Sequence, residues 1–316
     1  MEWAAVTAQD ENGMAKTKAK PAAGENNFAS LAEPRDYILT LSCPDTLGIV
    51  HAVAAFLHGE GCNIVDSAQF GDPDTKRFFM RVHFAAIAAS ATPSKLRTAF
   101  ATVATRFGMA WEIHDLKERP KVAILVSKFD HCLHDLLYRY QIGELNCEIT
   151  SVISNHRDCY RLAANYDIPF HHLPVTKATK AAQEKKILKT IGNEKADLVV
   201  LARYMQILSD KTCTALEGRA INIHHSFLPS FKGATPYSQA HARGVKLIGA
   251  TAHFVTPVLD EGPIIEQDVT PVTHKYTPAE MIAAGRDVER MVLARAVKLF
   301  LERRVLLNGN KTVVFR

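Results

Sequence analysis

The sequence predicts an α/β protein with two domains, a small ferredoxin-like α+β domain and a larger open sheet whose strands are mostly parallel. Three observations support this prediction. Strand and helix patterns follow the order βαββαβ over residues 35–117. A charged segment that ends in a proline, residues 118–120, then separates two regions of different pattern. Over residues 121–316, short apolar strands alternate with helical segments, as in a parallel sheet covered by helices.

The elements of the first region follow from apolar spacing and turn residues. A strand is predicted at residues 37–42, and the turn after it leads to a helix whose apolar residues recur at helical spacing. Two further strands are joined by a hairpin loop, and a second helix precedes the last strand. These elements are predicted, in chain order, at residues 63–70, 77–84, 96–107 and 109–116. Their order is typical of a ferredoxin-like domain.

The second region begins with an apolar run at residues 121–127 that does not alternate with polar residues. Such a run predicts a strand that is buried on both faces. A helix follows at residues 133–140, and further strands are predicted at residues 148–154, 198–201, 220–223 and 250–255. Ligands of these sheets bind beyond the carboxyl ends of the strands. Polar residues at those ends are therefore candidates for a functional site.

The composition is that of a soluble globular protein, with 47% apolar and 22% charged residues. No apolar run reaches the ~18 residues that span a bilayer. Residues 1–34 have neither a signal-peptide core nor an arginine, which argues against secretion and a mitochondrial transit peptide. We expect a cytoplasmic protein in which residues 1–34 are a disordered extension. The net charge is +5, and the sequence contains no run of lysines and arginines, so neither nucleic acid nor a membrane is an expected partner.

The cysteines and histidines do not form a recognisable metal site. The six cysteines are scattered without a Cys-x-x-Cys spacing, which predicts free thiols. The adjacent pairs His171–His172 and His224–His225 have no i,i+4 partner and no nearby set of carboxylate ligands. The sequence therefore predicts no metal and no cofactor.

Residues 220–233 are the most informative part of the chain, since they are predicted as a buried strand that ends in a polar loop. Asn222 and His224 are two residues apart, so on a strand their side chains point to the same side. An amide can donate to an oxyanion that forms at a carbonyl, and an imidazole can move protons near neutral pH. Asp260, in a later strand–loop–strand segment, adds a carboxylate that can orient His224 and hold a water molecule.

Each of these three residues also has an ordinary structural explanation. An asparagine or histidine at a strand end is commonly a satisfied polar group, and Asp260 before Gly262 and Pro263 is typical of a turn. Their combination in this order favours chemistry at a carbonyl. No serine or cysteine stands in a nucleophile-elbow context.

Asn-x-His followed by Leu-Asp-x-Gly-Pro resembles the folate-dependent formyltransferase and formyl-hydrolase superfamily. The resemblance covers residues 121 to about 303 and implies a Rossmann-like sheet of the formyltransferase type. It implies that Asn222, His224 and Asp260 are catalytic, in the hydrolysis of 10-formyltetrahydrofolate to tetrahydrofolate and formate. Folate is then a substrate and not a cofactor. The reaction would supply formate for purine synthesis and balance the one-carbon folate pools.

The same resemblance implies where folate binds. Residues 201–208 match the segment whose backbone lines the pterin pocket, and residues 256–260 match the loop that closes the folate site. The residues implied to bind folate are Arg203, Met205, Gln206, Ile207, Leu208, Val258, Leu259, Lys232 and Gly233.

Residues 127–133 bear on the choice of formyl acceptor. Glycinamide ribonucleotide transformylases have a glycine-rich turn at this place that cradles the phosphate of the acceptor. Here the turn contains no glycine, and bulky side chains would obstruct the approach of backbone amides to a phosphate. This favours water as the acceptor and leaves transfer to an amine, such as glycinamide ribonucleotide, as the alternative. Phe129 is a further departure from the family pattern.

Residues 35–117, with the motif Asp45-x-x-Gly48-Ile-Val, resemble an ACT domain, a small module that binds amino acids. The motif can also be explained as a helix start with Asp45 as the N-cap and a closely packed Gly48. The resemblance implies a regulatory ligand at Asp45 and Gly48, with glycine or methionine as candidate effectors, and a homo-oligomer. An amino-acid-binding regulator without catalysis is a third hypothesis, weakened by the complete catalytic triplet.

Overall fold

A four-stranded antiparallel sheet with two helices is formed by the first part of the chain. Its strand order is β2-β3-β1-β4, and its chain order is the predicted βαββαβ. The elements are β1 (Arg35–Pro44), α1 (Ile49–Gly59), β2 (Cys62–Asp72), β3 (Arg77–Ala86), α2 (Pro93–Phe107) and β4 (Ala110–Asp115). Both helices pack on one face of the sheet, in a core that contains Leu39, Val53 and Phe100.

A seven-stranded sheet follows, in the order β11-β10-β9-β8-β5-β6-β7. Strands β9, β8, β5, β6 and β7 are parallel, whereas β10 and β11 run antiparallel at one edge. The prediction of a mostly parallel sheet is confirmed. The elements are β5 (Lys121–Val126), α3 (His131–Gln141), β6 (Glu148–Ser154), α4 (Tyr160–Ala164), β7 (Phe170–His172), α5 (Lys180–Glu194), β8 (Leu198–Leu201), α6 (Asp210–Ala215), β9 (Ala220–His224), α7 (Pro236–Arg243), β10 (Leu247–Phe254), β11 (Ile264–Pro271) and α8 (Pro278–Leu301).

Strand β5 is buried on both faces, which explains its unbroken apolar pattern. Ile124 packs in the cluster that contains α3 and α8, whereas Leu125 packs in the cluster that contains α5. Helix α8 begins with a capping box between Thr277 and Glu280, with a proline in the first turn. This long helix covers one face of the sheet and carries residues of the functional site.

A C-terminal hairpin, β12 (Val305–Asn308) and β13 (Lys311–Val314), joins the two sheets. Val313 packs with Phe79 on the face of the four-stranded sheet opposite its helices. The amide of Asn308 donates to the carboxylate of Asp72 at 2.6 Å. On the other side, the hydroxyl of Thr312 donates to the carbonyl of Ile264 in β11.

The computed structural model describes residues 35–88, 91–229 and 236–316. The predicted disordered extension, residues 1–34, lies outside the described residues, as do Lys232 and Gly233. None of the described helices is both long and apolar enough to cross a membrane.

Candidate active site

Strand β9, which lies between β8 and β10 in the seven-stranded sheet, carries Asn222 and His224. Asn222 is paired in register with Leu201 of β8 on one side and with His253 of β10 on the other. Asp260 follows β10 in the loop before β11, with a left-handed φ of 58°. This loop lies close to β10 because Gly262 has no side chain, since a Cβ there would collide with the carbonyl of Phe254. The three predicted catalytic residues therefore meet.

His224 and Asp260 form a buried pair. Their Nδ1 and Oδ1 atoms are 3.2 Å apart, and the side chains are only 5% and 7% exposed. Burial by itself raises the pKa of Asp260, but the hydrogen bond and charge of His224 outweigh it and lower the pKa below its ordinary value. The carboxylate therefore favours the Nδ1–H form of His224. Nε2 of His224 is buried and has no hydrogen-bond partner among the described residues.

His253 is a site residue to which the sequence analysis gave no role. Its Nδ1 lies 2.8 Å from the carbonyl oxygen of Phe254, which can only accept, so Nδ1 carries the hydrogen. Burial lowers the pKa of His253, which favours the neutral ring. Nε2 is then an acceptor for the amide nitrogen of Asn222, 3.2 Å away. His253 thus orients the Asn222 amide and leaves its second N–H for a ligand.

A cavity of about 300 Å³ opens in front of these residues, a size that suits a small-molecule ligand. Of the predicted folate-binding residues it contains Arg203, Met205, Gln206, Ile207, Leu208 and Leu259. The exposed Val258 is not part of its wall, and Lys232 and Gly233 lie outside the described residues. The wall segment after β8 is fixed by Ser127 at the end of β5, whose hydroxyl accepts from the backbone N–H of Met205 at 3.0 Å.

A smaller cavity of about 160 Å³ adjoins the first one, and Arg203, Met205 and His225 line both. At its base is Glu289 of α8, whose side chain is 1% exposed. Its carboxylate accepts from Tyr237 at 2.7 Å and lies 2.9 Å from Nε2 of His131. Burial raises the pKa of Glu289, but His131, Arg203 and Tyr237 outweigh burial and lower it.

Phe129 lies at the rim of the smaller cavity. The guanidinium carbons of Arg203 and Arg286 are each 5.6 Å from the centre of its ring. Such distances are typical of cation–π contacts. The non-glycine turn at residues 127–133 therefore places a partly exposed aromatic ring against two guanidiniums of the smaller cavity, since Phe129 is 43% exposed.

One group of potential metal ligands occurs among the described residues, formed by His131, Cys132 and Glu289, with ligand atoms within 4.8 Å of one another. Burial raises the pKa of the Cys132 thiol well above its ordinary value, so the thiol is held in its protonated, weakly binding form. The carboxylate of Glu289 is already bound by His131 and Tyr237. This donor set is a poor fit for a metal ion.

The predicted regulatory residues lie at the start of α1. Gly48, and not Asp45, is the N-cap, with a left-handed φ of 89° that favours glycine. No atom lies within 4 Å of a Cβ built on Gly48, so backbone conformation and not close packing explains this glycine. Asp45 instead donates its backbone N–H to the carbonyl of Lys76 at 2.9 Å. The explanation of Asp45 as a helix cap was wrong.

Comparison with known proteins identifies the family. The formyl transferase family pattern matches residues 120–297. The formyltetrahydrofolate deformylase of Corynebacterium sp. (strain P-1) is 50% identical over 286 residues, which cover 90% of this chain and 100% of that protein. The chain belongs to the formyltetrahydrofolate deformylase family.

Solved structures agree with this family. The crystal structure of the formyltetrahydrofolate deformylase from Burkholderia mallei is 54% identical, with a TM-score of 0.86 over 90% of this chain and 100% of that chain. Glycinamide ribonucleotide transformylase 1 from Symbiobacterium toebii is more distant, at 30% identity and a TM-score of 0.59. That match covers 63% of this chain and 95% of the transformylase. The deformylases, unlike this transformylase, thus match nearly the whole described chain.

Proposed function

We propose that this chain hydrolyses 10-formyltetrahydrofolate to tetrahydrofolate and formate, with water as the formyl acceptor. The observation that carries the proposal is the buried His224–Asp260 pair beside the oriented amide of Asn222. All three face a cavity large enough for part of a folate. Relatives named formyltetrahydrofolate deformylase over 88–90% of the chain support the same reaction.

In the first step, water attacks the formyl carbon. Asp260 holds the Nδ1–H form of His224, so Nε2 is the basic nitrogen and takes a proton from the water as the new C–O bond forms. The formyl oxygen becomes an oxyanion, and the free N–H of Asn222 donates to it. A single donor of this kind contributes about 2.7–4 kcal/mol to transition-state stabilisation.

In the second step, the tetrahedral intermediate collapses. The C–N10 bond breaks, the electron pair goes to N10, and Nε2–H of His224 returns the proton to that nitrogen. Tetrahydrofolate and formic acid result, and formic acid loses its proton to solvent at neutral pH. His224 ends in its starting form, so the cycle consumes only water and needs neither a metal nor a cofactor.

The smaller cavity supports water over an amine acceptor. It adjoins the larger cavity and is lined by Phe129 and His131 of residues 127–133, where a transferase of this superfamily would hold its acceptor. At about 160 Å³ it is below the size of pockets that hold drug-sized molecules, and Phe129 and Arg203 narrow it. Transfer to glycinamide ribonucleotide is therefore not favoured.

The proposal extends to regulation and assembly. A small amino acid, such as glycine or methionine, binds near Asp45 and Gly48 and adjusts hydrolysis, and the chain acts as a cytoplasmic homo-oligomer. Support for assembly comes from the edge strand β2, where the apolar residues Val65 and Phe70 are 55% and 44% exposed. An exposed apolar edge of this kind commonly pairs with another chain.

The test is release of free formate from 10-formyltetrahydrofolate in the absence of any amine. We expect stoichiometric formate and tetrahydrofolate from the purified full chain. Turnover that requires glycinamide ribonucleotide would instead support the transferase. No turnover under either condition would support a regulator without catalysis.

A further inference from the structure

Arg203 is a buried cation with an unused hydrogen-bond donor. Its side chain is 9% exposed, yet the buried Nε of its guanidinium has no hydrogen-bond partner among the described residues. Nε lies 3.3 Å from Oε2 of Glu289, an ion pair whose geometry is not that of a hydrogen bond. A guanidinium carries five N–H donors, and buried donors are normally satisfied. A ligand with a hydrogen-bond acceptor would satisfy the guanidinium in this place.

The surroundings of Arg203 select a small anion. The smaller cavity contains two guanidiniums, Arg203 and Arg286, and one carboxylate, Glu289. Two guanidiniums against one ionised carboxylate leave the lining of this cavity with an excess of positive charge. A planar carboxylate matches the fork of a guanidinium with two parallel hydrogen bonds. The volume of about 160 Å³ suits a carboxylate of very few atoms.

We propose that the smaller cavity is a binding site for the product formate, held by the guanidinium of Arg203. This inference rests on the proposed hydrolysis, which generates formate in the larger cavity, and that cavity shares the wall residue Arg203 with the smaller one. Tetrahydrofolate fills the larger cavity, so the smaller one offers formate a place that does not require prior release of the folate. Arg203 draws the anion away from the carboxylate of Asp260, which repels it.

The test measures binding of added ¹³C-formate by NMR line broadening to the full chain, without any turnover. We expect Arg203→Met to weaken formate binding about tenfold or more, since a charge-assisted pair is lost. Arg203→Lys retains the charge beside Glu289 but lacks the planar fork, so binding weakens there as well. Arg290→Met is the matched control. Arg290 lies on α8, like Glu289, but outside the cavity, so this substitution should leave formate binding unchanged.

Unchanged formate binding in Arg203→Lys and Arg203→Met would overturn the proposal. A thermal unfolding transition measured for each variant checks that the variant is folded. If Arg203→Met does not fold, the lysine variant alone decides. A second arm adds tetrahydrofolate, whose glutamate carboxylate is the other source of a carboxylate ligand. Simultaneous binding of formate and tetrahydrofolate supports a separate product site, whereas displacement of formate overturns it. Because no arm depends on turnover, failure of the proposed hydrolysis is a distinguishable result.

Discussion

Nε2 of His253 accepts a hydrogen bond from the amide nitrogen of Asn222, with the two atoms 3.2 Å apart. The two residues are register partners on adjacent antiparallel strands, so the backbone itself holds the contact. Because Nδ1 of His253 donates to the carbonyl of Phe254, the imidazole ring is held in one orientation. The hydrogen bond to Nε2 then holds the side-chain amide of Asn222 in one orientation as well. An N–H of Asn222 is thereby kept facing the reacting carbonyl.

We predict that His253→Ala lowers kcat by about 10- to 100-fold with little change in KM, because an unheld amide loses part of the ~2.7–4 kcal/mol that an oxyanion donor provides. Steady-state kinetics on the folded variant check this. His274→Ala, at an exposed histidine, is the control and should behave as wild type. A rise in KM of similar size, without a fall in kcat, would instead assign His253 to substrate binding.

His224→Ala and Asp260→Asn should each remove most turnover, by about 10²- to 10⁴-fold, because each removes part of the proton-transfer machinery. Both residues lie at a strand end or in a loop, so the variants should remain folded and still bind folate. Fluorescence titration with tetrahydrofolate checks binding. Near wild-type kcat in either variant would mean that the assigned role is wrong.

The free energy of unfolding should fall as the pH drops below about 6.5, the pKa of an unperturbed histidine. Burial lowers the pKa of His253 in the folded protein, so the unfolded chain binds more protons in this window and acid favours unfolding. The loss levels off below the folded pKa of His253. Asp260 affects stability at lower pH. Because its pKa is lowered in the folded protein, its ionised form adds stability above about pH 3.9, the ordinary pKa of an aspartate, and this stability is lost as the pH falls through the pKa of the folded state.

Urea titrations at several pH values between 7 and 5 measure this effect. His253→Gln removes the titrating ring and should flatten the pH dependence in that window. A slope that is the same in the variant and in wild type would show that other groups cause it.

Activity should not change when the protein is treated with EDTA and dialysed, because the mechanism uses only side chains and water. The one candidate metal group in the described part of the chain has a protonated thiol and an occupied carboxylate. Rates before and after treatment check this. Loss of activity that added zinc restores would contradict the metal-free mechanism.

Glycine or methionine, added alone, should change kcat or KM of the full chain, and Asp45→Ala should reduce that response. Asp45 lies beside the end of β2, since a Cβ built on Gly71 would be 2.9 Å from its carboxylate. Hydrogen bonds connect Asp72, the next residue of β2, to Asn308 of the hairpin, and Thr312 of the hairpin to Ile264, which follows the active-site loop. Asn308→Ala should therefore weaken the response without removing basal activity. If no amino acid alters the kinetics, the four-stranded sheet serves assembly alone.

The sequence predicted the parts of the fold that depend on local pattern. The buried strands β5, β6 and β8 stand out because both faces are covered, and the four-stranded sheet because its turns and helix spacing are regular. It gave no prediction for β7, which is three residues long, or for the C-terminal hairpin. The hairpin is held by contacts such as Val313 with Phe79, which are far apart in sequence.

The candidate site shows the same division. Asn222 and His224 could be paired from the sequence because they are on one strand, and Asp260 from its motif. The role of His253 depends on strand pairing across the sheet, which spacing alone does not reveal. Likewise, Arg203 could be placed near folate, but its contact with Glu289 requires helix α8 to be packed in three dimensions.

Hydrolysis in H₂¹⁸O tests the central claim most directly, by mass spectrometry of the formate released from 10-formyltetrahydrofolate without an amine acceptor. Attack by water at the formyl carbon predicts formate with one oxygen from solvent, at a rate equal to tetrahydrofolate formation and abolished in Asp260→Asn. Formate without solvent label, or tetrahydrofolate formed only when glycinamide ribonucleotide is added, would contradict it.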